Sequence, residues 1–139
     1  MAQINPYVRF NDGKCREAFE FYKACIGGEL KFQTVGETPM AKDMPAESHS
    51  NIMHVELKSG KIELFGSDMM RDKAVVGDNI VLALNCDSEE EIKMHFAKLS
   101  EGGEVFMPLD KTFWGALFGV FTDKYGVEWM LNFQVEEMK

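Results

Sequence analysis

The sequence predicts an α+β protein: two tandem βαβββ modules that unite their sheets into one curved, barrel-like cup with both helices outside. Three observations predict it. FYKACIGGEL (residues 21–30) and FAKLSEGGEV (residues 96–105) share the pattern F-x-K-x-x-x-G-G-E, one copy in each half of the chain. Each copy closes a segment whose apolar residues recur at helical spacing. Each half then ends in a hairpin signal, NIMHVEL-KSG-KIELFG in the first and ALFGVFT-DKYG-VEWMLNF in the second.

The elements follow in order. In the first strand (residues 4–10) Ile4, Val8 and Phe10 form an apolar face, with Asn5, Tyr7 and Arg9 opposite. A helix over residues 14–26 carries Ala18, Phe19, Phe21, Tyr22 and Ile26 on its apolar side. The Gly27-Gly28 pair ends it, because glycine takes the left-handed conformation that other residues resist. A second strand covers residues 29–35, and a loop (37–50) with Pro39, Met40, Met44 and Pro45 leads to the hairpin. There Met53, Val55 and Leu57 oppose His54 and Glu56, and Ile62 and Leu64 oppose Lys61, Glu63 and Phe65, with the turn near Ser59-Gly60. A polar segment containing Met69 and Met70 joins module 1 (about 1–67) to module 2 (about 79–135), with residues 68–78 as the linker. Thioethers in these two loops suit an adaptable apolar mouth, or fill gaps.

The second module repeats the order. Ile80, Leu82, Leu84 and Cys86 face its helix, leaving Val81, Ala83 and Asn85 opposite. Asp87-Ser88 followed by glutamates is a helix start, since a side-chain oxygen caps free N–H groups and carboxylates suit the positive end of the helix dipole. Ile92, Phe96 and Leu99 continue it, Gly102-Gly103 is expected to end it, and a strand runs over 104–108. The last hairpin turns at Asp123-Lys124-Tyr125-Gly126, a type I signal. Val127, Trp129, Leu131 and Phe133 form its apolar stripe, with Glu128, Met130 and Asn132 opposite.

Composition excludes several function classes. The 139 residues are 45% hydrophobic and 27% charged, which suits a globular domain. Against 23 acidic residues stand 15 basic ones without a basic run, so no nucleic acid partner is expected. Apolar runs such as residues 80–84 are too short for a bilayer, so no membrane partner is expected either. Cys15, Cys25 and Cys86 form no CxxC pair, and MAQINPYVRF lacks the segments of a secretory leader, so the sequence predicts a cytoplasmic protein. Cys15 and Cys25 read as packing residues, and Cys86 has no base nearby in sequence.

The residues opposite the helix faces would line the cup. Candidate ligand-binding residues are Tyr7, Arg9, His54, Phe65 and Trp114, and candidate catalytic carboxylates are Glu63 and Glu56. Each has an alternative structural role. His54 is able to bond Glu56 or a loop carbonyl, and Arg9 with Glu63 suits an ion pair across the cup as well as a substrate clamp. His49 and His95 are expected on the surface. Phe113-Trp114-Gly115 precedes a strand without an evident core role and is expected at the rim of the cup.

The stretches PYVRFNDGKCREAFEFYKACIGGEL, MHVELKSGKIELFGSD, ALNCDSEEE and MPLDKTFWGALFGVFTDKYGVEWML span most of the chain. In them, and in the order of elements, the sequence resembles the PhnB-like branch of the vicinal-oxygen-chelate superfamily, which includes glyoxalases, extradiol dioxygenases and bleomycin-binding proteins. The resemblance implies a single domain over residues 1–139 and a homodimer. It also places the superfamily's four metal-ligand positions on Asn5, Glu63, Val81 and Met130. Of these Glu63 is a competent ligand for a divalent ion, Asn5 is a poor one, and Val81 and Met130 offer no hard donor. The expectation is therefore a protein without metal or other cofactor, a displaced site on His54, Glu56 and Glu63 being the alternative. Members of the branch carry the label of a demethylubiquinone methyltransferase, yet no strand, Gly-rich loop and helix suited to a nucleotide-type cofactor occurs in succession here.

Two functions fit these residues. One is sequestration of a small organic molecule in the cup. The other is metal-independent lyase or isomerase chemistry, with Glu63 or Glu56 as general base, Tyr7 or Arg9 stabilising negative charge, and His54 orienting or sharing the proton. A metal-dependent glyoxalase-like or dioxygenase-like enzyme is the third.

Overall fold

Each half of the chain folds as βαβββ in the computed structural model, which describes residues 2–70 and 72–135 and divides into two units between Val75 and Val76. The first unit holds β1 (Tyr7–Phe10), α1 (Cys15–Ile26), β2 (Glu29–Thr34), β3 (Ile52–Ser59) and β4 (Ile62–Asp68). Its sheet order is β1-β4-β3-β2, with β1 parallel to β4 and the other pairs antiparallel. Strand alternation sends Val55, Leu57 and Leu64 into the core with Phe19, Tyr22 and Cys25 of α1. Phe19 lies so close to Gly66 that a Cβ there would meet its ring at 2.6 Å, so this strand position needs a residue without a side chain. The first turn of α1 lacks a side-chain cap from Lys14. The buried carboxylate of Asp68 takes that role from the far end of β4, accepting from Cys15 N at 2.9 Å and from Ile52 N at 2.8 Å.

The second unit holds β5 (Leu82–Asn85), α2 (Glu89–Leu99), β6 (Glu104–Lys111), β7 (Ala116–Thr122) and β8 (Glu128–Gln134), in sheet order β5-β8-β7-β6. Ser88 caps α2 by accepting from Glu91 N, and the Glu91 carboxylate accepts from Asp87 N. Leu117, Phe121, Trp129 and Leu131 are buried with Ile92, Phe96 and Leu99. Here the close approach falls between Phe96 and Gly119 of β7, a strand that is not the counterpart of β4. The β7–β8 turn closes with Gly126 N donating to Asp123 O at 3.0 Å, and Gly126 has φ +88°.

Several boundaries differ from expectation, each for a local reason. β1 begins at Tyr7, and Ile4 is 98% exposed; Pro6 has no N–H with which to extend the ladder. β5 begins at Leu82, leaving Ile80 77% exposed and outside the apolar face. Gly27 does end α1, at φ +76°, but α2 ends on Ser100, with the glycine pair in the turn beyond it. β4 runs through Asp68, and Met69 N donates to Phe10 O, so the start of the expected linker belongs to the first sheet. Lys61 lies in the two-residue turn before β4 rather than on a strand face. β6 runs past Pro108 because it is an edge strand, and register shifts on both sides of Met107 accommodate the proline. His95, expected on the surface, is buried among the apolar residues of α2. The 37–50 loop holds short 3-10 turns, pinned where His49 Nε2 lies 2.9 Å from Ala41 O and 3.2 Å from Met44 O. No helix among the described residues is long and apolar enough to cross a membrane.

Candidate functional site

Burial of Val55, Leu57, Leu64 and Phe10 against α1 turns Tyr7, Arg9, His54, Glu56, Glu63 and Phe65 to the helix-free face of the first sheet. The register sets Tyr7 and Glu56 on either side of Phe65, and Gln33 beside His54. Over this central strand the side chains of three strands meet. The imidazole of His54 stacks on Tyr7, with ring centroids 5.7 Å apart and planes 27° apart, and tilts against Phe65 at 5.7 Å. Its Nδ1 lies 3.4 Å from the Tyr7 hydroxyl and its Nε2 lies 3.5 Å from Glu56 Oε1. The tautomer carrying hydrogen on Nε2 lets Nδ1 accept from Tyr7 and turns an N–H towards the Glu56 carboxylate. The pair is reachable, with side-chain exposures of 38% for His54 and 29% for Glu56. Rings, a carboxylate, an imidazole and a phenol are thus gathered on one half-open surface.

Glu63 is held apart from this group. Asn5 Nδ2 donates to its Oε2 at 3.0 Å, and Gln3 Nε2 donates to the same oxygen. The ion pair between Arg9 and Glu63, one of the two readings of these residues, does not form. Arg9 pairs with Ser67 in the register and Tyr7 with Phe65, which puts Glu63 four residues down β4 from Arg9's row, about 13 Å away along the strand. The exposed Arg9 has no ion-pair partner among the described residues.

Trp114 belongs to the second unit. It sits in the β6–β7 turn, half-buried and edge-on to Phe113 at 4.9 Å and to Phe118 at 5.8 Å. Gly115 at φ +81° and Thr112, whose Oγ1 accepts from Ala116 N, shape that turn and leave Phe113 almost fully exposed. A pocket of about 140 Å³ lined by Thr112, Phe113 and Gly115 lies beside it. That is below the roughly 300 Å³ at which drug-sized ligands are enclosed. Cysteine chemistry finds no support. Burial, followed by Glu91 and Asp87, pushes the Cys86 thiol up to about 12, and burial followed by Asp68 raises Cys15 further.

Residues 3–131 match the family model of the glyoxalase/bleomycin resistance protein/dioxygenase superfamily. Protein YjdN of Escherichia coli (strain K12) is 31% identical over 138 residues, covering 93% of each chain. The chain belongs to that superfamily. Among solved structures, PA1353 from Pseudomonas aeruginosa is similar at TM-score 0.85 and 41% identity, over 96% of this chain and 98% of that one. The PhnB protein from Bacillus cereus, named as a 3-demethylubiquinone-9 3-methyltransferase, shares the fold at TM-score 0.76 and 24% identity, over 95% of this chain and 99% of that one.

The superfamily's metal does not fit the residues present. In the first unit the two positions that the resemblance implies for ligands, Asn5 and Glu63, do meet, but as an amide donating to a carboxylate, which occupies an oxygen a metal would need. In the second unit β5 pairs with β8 as Ala83 opposite Met130, so Val81 is offset from Met130, and neither side chain carries a hard donor. The alternative set of His54, Glu56 and Glu63 does not assemble either: Glu63 pairs with Lys58 across β3 and lies a row beyond Glu56. No group of three or more His, Cys, Asp or Glu placed to hold a metal occurs among the described residues.

Sequence reasoning missed two features of these faces. One is the contact of Tyr7 with His54, which spans a whole intervening strand and follows from register alone. The other is Glu128, whose Oε2 is buried without a hydrogen-bond partner among the described residues.

Proposed function

We propose that the protein binds a small organic molecule with a planar ring on the helix-free face of the first sheet, without a metal ion. The observation that carries this reading is the half-open cluster of Tyr7, His54 and Phe65 with Glu56 against the imidazole. Aromatic faces supply apolar contact at low entropic cost, and the few polar groups around them fix orientation. Arg9, exposed and without an ion-pair partner among the described residues, suits an anionic or carbonyl oxygen on that ring. Metal independence is supported by Val81 and Met130, which offer no hard donor, and by the register, which sets Glu63 a row beyond Glu56.

A thermal-shift screen of small aromatics, quinones and 2-oxo acids, run in excess chelator, tests the reading. Hits that stabilise the wild type and lose their effect in Tyr7→Ala and Arg9→Ala are the expected result. Hits that both variants keep would move the site elsewhere. A second reading, metal-independent proton chemistry, draws on the Tyr7–His54–Glu56 chain of contacts, with Glu56 as base through the imidazole. It requires that Glu56→Gln retain a hit's binding and lose its turnover. Glu63, which accepts from two amides at one oxygen, is less suited to that role. The proposal includes a homodimer, and light scattering that reports a monomer would remove that part.

A further inference from the structure

The second sheet also has a helix-free face, and its composition differs from that of the first. Trp129 and Leu131 are buried towards α2, so alternation turns Glu128, Met130 and Asn132 the other way. The register sets Met130 between Ala83 and Val120, making an apolar floor, and sets Glu128 beside Thr122 at one end of it. Glu128 Oε2 is buried yet has no hydrogen-bond partner, and no cation pairs with this carboxylate among the described residues. Buried polar atoms are almost always satisfied, and an ionised carboxylate left without a donor is among the costlier exceptions. A carboxylate only accepts, so whatever completes this group must donate.

We propose that this face binds a small protonated amine carrying an apolar body, with the ammonium on Glu128 and the body over Met130 and Val120. A cation is favoured over a neutral donor because a charge-assisted bond to a half-buried carboxylate is stronger than a neutral one. The net charge of −8 also enriches cations around the protein. An anion is excluded by the same carboxylate. The opposite end of the floor is polar, where Asn132 Nδ2 donates to Asn85 Oδ1 at 3.4 Å, about 13 Å along the strand from Glu128. An amine of benzyl or phenethyl size therefore covers Met130 without reaching the asparagines. The site shares no residue with the ring-binding face of the first unit.

The test is methyl NMR of 13C-methyl-methionine protein, with Met130→Leu assigning the Met130 signal. Phenethylamine, phenethyl alcohol and 3-phenylpropionate are titrated separately at neutral pH. The expected result is a saturable shift of the Met130 methyl with phenethylamine, about tenfold weaker binding of the alcohol, and no response to the propionate. Glu128→Gln erases the difference between amine and alcohol. Its Tm is equal to or above that of the wild type, because a carboxylate without a partner contributes nothing to folding. A Met130 signal unmoved by all three probes overturns the proposal, as does an equal response to amine and alcohol. So does a Glu128→Gln protein that melts lower or does not fold, which would make the carboxylate structural.

Discussion

Asp123→Ala tests whether the D-x-x-G-x-x-W stretch is architecture. The Asp123 carboxylate is buried and accepts from Tyr125 N at 2.8 Å, Val127 N at 3.1 Å and the Trp129 indole Nε1 at 2.8 Å. It thus closes the β7–β8 turn and satisfies the polar atom of a buried tryptophan. In the alanine variant the two turn N–H groups recover water in part, while the indole N–H is left inside an apolar core. Bonds to a charged acceptor are worth about 1.5–3 kcal/mol each, and an orphaned buried donor costs about 1–3 kcal/mol. Allowing for the recovered hydration, the loss comes to about 3–5 kcal/mol. The assay is urea unfolding followed by tryptophan fluorescence and circular dichroism. With a slope near 2 kcal/mol per molar urea, the midpoint falls by about 2 M. Asp123→Asn, which keeps one acceptor oxygen, loses about half as much. A midpoint drop under about 0.5 M for the alanine variant, or equal losses for both, would refute the reasoning.

Other predictions follow from contacts of the same kind. Gly66→Ala forces a methyl into the Phe19 ring and the Val8 carbonyl, at 2.6 and 2.7 Å, and lowers stability by about 1–3 kcal/mol in thermal melts. Gly60→Ala meets nothing within 4 Å and costs about 1 kcal/mol, from its φ of +59° alone. Cys86, with its thiol pushed up to about 12, stays unlabelled by iodoacetamide at pH 8 in the folded protein, as mass spectrometry will show. Because that value lies above a thiol's ordinary 9.0, the neutral thiol's contribution to stability is intact below pH 9 and is lost as pH rises towards 12. Chemical denaturation across that window should show a decline that Cys86→Ser reduces. For any ring ligand of the first sheet, Phe65→Ala weakens binding by about tenfold, the loss of one aromatic contact, as isothermal titration measures.

The repeated order of elements was legible because it is written locally. Gly27, the Asp87-Ser88 cap and the Asp123 turn each specify their own geometry within a few residues. The faces of β1, β3, β4 and β8 were legible for the same reason, since alternation needs no tertiary information. What was not legible depends on pairing between strands distant in sequence. Tyr7 meets His54 only because β4 threads between β1 and β3, and Arg9 misses Glu63 because that same register separates them by rows. Ile4 and Ile80 had the right side-chain type but fall outside the paired ladder. His95 was misread because composition alone ranks histidine as intermediate, and packing around Ile92, Phe96 and Leu99 decides its burial. The unpartnered oxygen of Glu128 has no signature in sequence at all, since it is defined by what does not approach it.

The central claim is a ring-binding face on the first sheet that works without metal. Backbone amide shift mapping with the strongest ring ligand from the screen, recorded in excess EDTA, tests it most directly. The account predicts saturable shifts at Tyr7, His54, Glu56 and Phe65, identical with and without the chelator. Shifts confined to other residues would contradict it, and so would binding that EDTA abolishes and a divalent ion restores.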